Sequence, residues 1–439
     1  MIRPSTRCLW LAGAALMLGV GLSMVGGLPA TAIVFPMGAV IVAFVLDWII
    51  SRKAGGFELE ADIDKEVLAG EAARLTLKLK SRSGSTRFPA APTARLLVPE
   101  GFDGPDEVSF GKNESGTPVA SAIYQAIRRG EWRLGELHLH WTSRLGLIDF
   151  LPVRQIDLLV RVVPNIRPVS SGAIDLELRS QLHGAKSLMF RGEGSEFHQL
   201  NEYVAGMDPR SIDWKQSARH KKMVAKEMRA ERNHQIILAL DNGELMRQQI
   251  DGLPRIDHAI NAALSLAWAG LQSGDLAGLY SYDASPRQFI PPAPGQRTFA
   301  LLRSRMAELS YRSVATNHTF ALSHLHQRLK RRSLIVIFSD FADPMTAQLL
   351  LEHLSILNRH HVMIFVTLRD PGLHELARRQ VGGFEDVANA VSAGALLAER
   401  RDVLNRIGAM GVTVIETDPG ALTSRLVSAY LSIIARELI

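Results

Sequence analysis

Three aspartates stand where a strand-ending acid could hold a divalent cation. Asp241 closes "QIILALD", Asp283 closes "LAGLYSYD" and Asp340 closes "SLIVIFSD". In open α/β sheets, sites form at the carboxyl ends of strands. Two such acids around Mg²⁺ can activate water, so a metal-dependent hydrolase using Asp241 and Asp340 is one reading. Other chemistries lack their motifs: there is no Walker loop, Ser-His-Asp pattern, HExxH or glycine-rich dinucleotide loop. "GEGSEF" offers a Gly-x-Ser string without the strand before it or the second glycine after it. A lone cysteine, Cys8, excludes an internal disulfide and a cysteine-rich zinc site. His138 and His140 alternate on one strand face; with no third ligand near, a plain exposed face is the expectation.

The elements that would position these acids run from 235 to 439. Strand-like runs ("QIILALD", "LAGLYSYD", "RQFIPP", "SLIVIFSD", "VMIFVTLR", "VTVIET") alternate with helical stretches at Arg255–Leu271, Phe299–Leu309, Phe320–Lys330, Met345–Asn358, a long region from Leu373 to Gly408, and Ala421–Glu437. Continuous apolar strands between helices imply a largely parallel, doubly wound α/β sheet covered on both faces. Only "ASP" separates "LAGLYSYD" from "RQFIPP", which is hairpin spacing and predicts one antiparallel edge strand.

Upstream the pattern differs. Residues 56–165 alternate apolar and polar in short runs such as "ARLTLKLKS" and "ELHLHW", with turn-rich breaks between them; this predicts an antiparallel β-sandwich. Residues 166–234 form a polar connector. Within it Ser195–Tyr203 reads as a short helix with Phe197, Leu200 and Val204 on one side. "GMDPR" reads as a turn, and "SIDWKQSARH" as a second helix anchored by Ile212 and Trp214. Glu196 or Asp213 would pair with Arg210 or Arg219. The connector is expected to clamp the β domain to the α/β domain, or to present a recognition surface to a partner.

Residues 1–55 predict a transmembrane hairpin with spans at about 9–28 and 33–50, each near the ~20 residues that cross the hydrocarbon. Arg3 and Arg7 precede the first span, and Arg52 and Lys53 follow the second. The intervening "GGLPAT" carries no charge, so both ends are expected in the cytoplasm. A cleaved signal peptide ending near Ala30-Thr31-Ala32 is the rival reading, and it too leaves the soluble part inside. Asp47 is expected beside Trp48 at headgroup level as interfacial trim. The chain has 439 residues, is 47% hydrophobic and carries a net charge of +6. That basicity fits a solvated surface near anionic lipid better than nucleic-acid recognition, since no aromatic-interleaved basic patch appears. A lipid or nucleic-acid binder working through Arg219–Lys222 and Arg328–Arg332 is a further alternative.

The order of strand, helix, antiparallel edge and "SD"-ending strand resembles the von Willebrand factor A fold. More of the chain resembles the bacterial domain-of-unknown-function 58 family, through "RGEWRLGELHLHWTSRLGLIDF", "VRVVPN", "RGEGSEFHQLNEYVAGMDPRSIDWKQSAR", "IILALDNGELM", "GDLAGLYSYD" and "VIFSDFAD". Met207 departs from that pattern, where relatives often carry an acid. The A-fold resemblance implies an Asp-x-Ser-x-Ser metal turn with a distant Thr and Asp. Asp241 takes the first acid position, Gly243 and Leu245 the two serine positions, Asp340 the distant acid and Thr319 the threonine. With both serines missing, the favoured expectation is no cofactor, Asp241 instead capping its turn by accepting backbone N–H bonds. A weakly held hydrated Mg²⁺ is the alternative. The family resemblance also implies Glu193, Glu196, Phe197, Tyr203, Asp208, Arg210, Asp213, Trp214 and Arg219 as partner-binding or clamp residues. It implies a non-enzymatic, multi-pass adaptor of the bacterial cytoplasmic membrane with its soluble domains inside, serving a MoxR-type AAA+ ATPase and client proteins, with the lipid bilayer as a further partner and no specific nucleic acid.

Overall fold

The computed structural model describes residues 2–25, 34–52, 57–81, 91–113, 116–167, 196–204, 207–229, 233–341, 344–379 and 383–436. They fall into two compact units, Met1–Val163 and Pro164–Ile439.

The first unit opens with helices α1 (Thr6–Val25) and α2 (Val34–Arg52). Val34–Ser51 is long and apolar enough to cross a membrane, while the apolar run Thr6–Gly21 is shorter. The "GGLPAT" turn and the candidate cleavage site lie outside the described residues. The strands that follow make a seven-stranded and a five-stranded sheet among the described residues. Pairing is antiparallel throughout, except where Glu66–Leu68 runs parallel to Val153–Val163. Each long strand buries alternate residues: Ala73, Leu75, Leu77 and Leu79 in Ala72–Ser81, and Leu137, Leu139 and Trp141 in Gly130–Thr142. Period-two patterning thus does here what it does in any half-buried sheet.

Asp47 is more than interfacial trim. It is 0% exposed, and its carboxylate accepts from Ser143 Oγ at 2.5 Å and from the backbone N–H groups of Leu145 and Leu147 at 3.1 and 3.2 Å. A buried carboxylate needs such donors, and a loop of the β strands supplies them.

The second unit contains a hairpin in which Glu196–Glu202 pairs antiparallel with Val224–Arg229. The helix expected over 195–203 is therefore a strand. A register shift between Phe197 and Gln199 marks a bulge, which breaks the period-two alternation and mimics a helical spacing. The helix Trp214–His220 forms as expected, capped by Asp213, which accepts from Lys215 N and Gln216 N at 3.1 Å each. Ile212 is buried as expected, but Trp214 is 69% exposed.

The remainder is a six-stranded sheet with helices on both faces. Its elements are β1 (Gln235–Asp241), α3 (Arg255–Ser273), β2 (Leu276–Tyr282), β3 (Pro286–Ala293), α4 (Gly295–Ala307), α5 (His318–Arg328), β4 (Ser333–Phe338), α6 (Pro344–Asn358), β5 (Val362–Leu368), α7 (Pro371–Arg378), α8 (Phe384–Ala409), β6 (Thr413–Thr417) and α9 (Pro419–Ala435). The strand order is β3-β2-β1-β4-β5-β6. All neighbours are parallel except β2 and β3, the hairpin that the "ASP" spacing predicts. Ile236, Leu238 and Leu240 point into one core with α3, α4 and α9. Ile237 and Ala239 point into the other, with α5, α6 and α8. The long helical region 373–408 is two helices, α7 and α8. Chain direction of travel reverses between β1 and β4, so the topological switch point lies beside the last residues of those two strands.

Candidate functional site

Asp241 ends β1 and is 1% exposed. Its Oδ1 accepts from Gly243 N at 2.9 Å and from Thr316 Oγ1 at 2.6 Å, and its Oδ2 accepts from Ser339 Oγ at 2.6 Å. The hydroxyl donor is thus Thr316, on the loop before α5. Thr319, expected in that role, lies in the first turn of α5. Gly243, at a position the A-fold pattern gives to serine, has a physical reason to be glycine. A Cβ there would sit 2.0 Å from Thr316 Oγ1 and 3.1 Å from Val314 O. Thr316 fills the space a serine would need. Burial pushes the Asp241 carboxyl above its usual range, against the pull of the His318 charge, the two hydroxyls and the Gly243 N–H. His318 packs edge-on to Tyr282 with ring centroids 6.0 Å apart, and burial lowers its pKa. Neither of its ring nitrogens has a hydrogen-bond partner among the described residues.

Asp340, two residues past β4, is 6% exposed. Its Oδ2 pairs with Arg255 Nη1, and its Oδ1 accepts from Arg400 Nη1 at 2.5 Å and from Phe341 N at 2.9 Å. Arg255 begins α3 and also binds Asp370 Oδ2 at 3.0 Å and Leu368 O at 3.2 Å. Arg400 lies in α8. It reaches Glu416 Oε1 at 3.0 Å, Thr367 Oγ1 at 2.6 Å and Leu368 O at 3.3 Å, with its guanidinium 5.1 Å from the Phe341 ring centre. Burial works against the Arg400 charge, but Asp340 and Glu416 hold its pKa above the ordinary arginine value. Two guanidiniums among three carboxylates, with further N–H groups on the Leu368 carbonyl and the Thr367 hydroxyl, make an ionic network.

These residues do not fit a divalent cation. Mg²⁺ requires close to six oxygens that are free to turn toward it. Both oxygens of Asp241 are taken by internal donors, and both oxygens of Asp340 by arginines. Positive charge at the switch point is already supplied by the chain itself. Among the described residues, no group of three or more His, Cys, Asp or Glu is placed to hold a metal. Asp283, the third strand-ending acid, is 0% exposed and bound by Arg287 Nε at 2.7 and 2.9 Å.

A cavity of 180 Å³ adjoins Asp340, lined by Arg255, Arg400, Asp370 and His374 and by Leu245, Phe341, Leu373, Leu396 and Val403. Sites for small-molecule substrates run from about 300 Å³ upward, so this space suits one or two side chains. A second void of 10 Å³ borders Arg255, Ser339 and Thr367 and is the size of one water. Arg255, whose Nε has no hydrogen-bond partner among the described residues, lines both.

Among the described residues, the connector positions lie on several elements. Glu193 lies outside the described residues. Glu196 and Phe197 lie in the first hairpin strand. Asp213 pairs with Lys226 at 3.2 Å, in place of the expected Arg210 or Arg219, both of which are exposed. Its pKa is lowered, first by the Gln216 N–H and then by Lys226. Asp208 caps the turn at Pro209 by accepting from Arg210 N at 2.9 Å, and Tyr203 donates to Met207 O at 3.0 Å. Both basic clusters, Arg219–Lys222 and Arg328–Arg332, are largely exposed.

The two acids are legible in the sequence, and their partners are not. Ser339 stands beside Asp340 in "FSD" and carried a visible signal. Arg255 had a weaker one, as a cation opening an otherwise apolar helix. Arg400 is indistinguishable in sequence from its neighbour Arg401.

Residues 199–402 match the family described as "Protein of unknown function DUF58". The match covers less than half of the chain. Similar proteins include uncharacterized proteins Rv1480 of Mycobacterium tuberculosis and Mb1516 of Mycobacterium bovis, each 26% identical over 202 residues, or 44% of this chain and 61% of theirs. The chain therefore spans less than two thirds of the curated relatives it matches. Among solved structures, an aerotolerance-related membrane protein from Bacteroides fragilis is similar at 11% identity and a TM-score of 0.30 over 46% of this chain and 99% of its own. BatB from Bacteroides thetaiotaomicron is similar at 10% identity and a TM-score of 0.30 over the same shares. The vWF domain of the pilus tip protein Mfa5 from Porphyromonas gingivalis is similar at 11% identity and a TM-score of 0.29 over 47% of this chain and 95% of its own.

Proposed function

We propose that this chain is a membrane-anchored, non-enzymatic scaffold or adaptor, whose α/β module binds protein partners. The observation that carries the reading is the pairing of Asp340 with both Arg255 and Arg400. At the switch point, where an α/β enzyme would keep a reactive acid free, the acid is consumed by internal cations. The cavity beside it has the dimensions of a side-chain pocket, with an apolar wall and an ionic floor. The hydrolase alternative finds neither Asp241 nor Asp340 free in this arrangement.

The finer parts of the reading rest on the sequence. They are a two-helix hairpin with both ends in the cytoplasm, a β-sandwich over 56–165, an A-like module at the C-terminal end, and a MoxR-type AAA+ ATPase with its clients as partners. Pairing of Ile2–Pro4 with Ile148–Phe150 supports the hairpin, because it keeps the N-terminal segment on the side of the β strands. The test is affinity capture of the full chain from detergent-solubilised membranes, with and without ATP, followed by identification of what is retained. Enrichment of an AAA+ ATPase supports the adaptor reading. Its absence in both conditions, or turnover of a defined substrate that is lost in D340N, overturns it.

A further inference from the structure

The loop Ser143–Leu147 joins strand Gly130–Thr142 to strand Ile148–Phe150 and is gripped by both N-terminal helices. From α2, Asp47 accepts from Ser143 Oγ, Leu145 N and Leu147 N, while Ser51 Oγ accepts from Arg144 N at 3.3 Å. From the residue just before α1, Ser5 N donates to Leu147 O at 2.9 Å and Ser5 Oγ to Gly146 O at 2.5 Å. Gly146 has φ +75°, and a Cβ there would lie 3.1 Å from Arg7 Nη1, so the Arg7 head rests on the loop. Cys8, Leu147 and Ile148 close a small core with Ala43 and Phe44. The loop is therefore fixed to the helices by buried hydrogen bonds on two sides.

Its tip does the opposite of burying. Leu145 is 56% exposed and Arg144 beside it is exposed. Trp10 and Trp48, close in sequence to Arg7 and Asp47, are exposed at the same end of the helices, and beyond them both helices expose apolar residues such as Met17, Phe35 and Val42. From Asp47 back to Val34 the helix runs about 20 Å. Tryptophans at one end of an apolar stretch, with arginines among them, are the composition of a bilayer interface on its anionic face.

We propose that Ser143–Leu147 is an interfacial foot: Leu145 enters the headgroup–acyl boundary, Arg144 and Arg7 meet lipid phosphates, and Asp47 is the positioning residue that locks the foot to α2. This goes beyond membrane anchoring but rests on it, so the test separates the two. The full chain, in a C8S background, is reconstituted into phosphatidylcholine vesicles with and without phosphatidylglycerol. A fluorophore is placed at L145C, M17C or L159C, and quenching is measured with lipids spin-labelled near the headgroup or deep in the acyl chain. Leu159 pairs with Arg133, about 30 Å along the strand from the loop, and serves as the distant control. Expected are deep-lipid quenching at 17, shallow-lipid quenching at 145 several-fold above that at 159, and a further rise at 145 with phosphatidylglycerol. D47N, and more mildly S143A, should cut the quenching at 145 several-fold while leaving 17 unchanged. Quenching at 17 but none at 145 overturns the foot and leaves the anchor standing. No quenching at 17 overturns the anchoring reading itself. Unchanged quenching at 145 in D47N overturns the role of Asp47.

Discussion

Arg400, far along helix α8, donates to Asp340 at 2.5 Å across the carboxyl end of the sheet. A single ion pair thus ties a helix to the acid expected to be the distant metal ligand. Asp340 is 7% and Arg400 15% exposed at the side chain, so the pair lies in the regime where losing one partner strands a charge. Arg400→Met should destabilise the α/β unit by about 3 kcal/mol, and D340N/R400M together by less than the sum. Hydrogen exchange of the β1 amides in the full chain measures this locally. Protection unchanged in R400M would show that the pair holds nothing.

Gly243 and Thr316 compete for one space. G243S should cost about 2 kcal/mol by overpacking, because its Cβ would arrive 2.0 Å from Thr316 Oγ1. T316A should cost about 1–2 kcal/mol through the lost hydrogen bond to buried Asp241. The double variant lets serine donate in place of threonine, so its cost should fall at least about 1 kcal/mol short of the sum. Strict additivity in the same exchange measurement would refute the competition.

Saturated carboxylates also predict indifference to metal. Neither excess Mg²⁺ nor a chelator should change exchange protection at Asp241–Gly243 or the thermal midpoint of the α/β unit. A ligand that binds only the folded state stabilises it in proportion to its concentration over Kd. A saturable rise in protection with Mg²⁺, abolished by D241N, would restore the metal reading.

Much of this architecture is legible in the sequence, for a reason visible in particular strands. "IILAL" and "LIVIF" are buried on both faces, so every residue in them reports the fold. The β2–β3 hairpin shows because its loop is too short for anything else. Glu196–Glu202 is illegible because its bulge breaks the alternation and its partner strand lies beyond an intervening helix. The site is half legible. The acids follow from strand ends, but Arg255 and Arg400 meet Asp340 from 85 and 60 residues away, and such pairing leaves no local trace. The burial of Asp47 is illegible for the same cause, since three of its donors lie 96 to 100 residues ahead.

Acid should loosen the opposite end of the sheet. His361, which precedes β5, is 5% exposed, and burial, aided by the charges of His326, His360 and Arg332, lowers its pKa to about 4. The unfolded chain, with a histidine pKa of about 6.5, takes up the proton first. Stability from this group is therefore complete above pH 6.5 and is lost as the pH falls from there toward 4. At pH 5 the loss is about 2 kcal/mol. Exchange protection of the β5 amides at pH 7 and pH 5, corrected for intrinsic rates, should show this drop in the natural chain and a clearly smaller one in H361Q. Equal drops in the two proteins would assign the acid sensitivity to other groups.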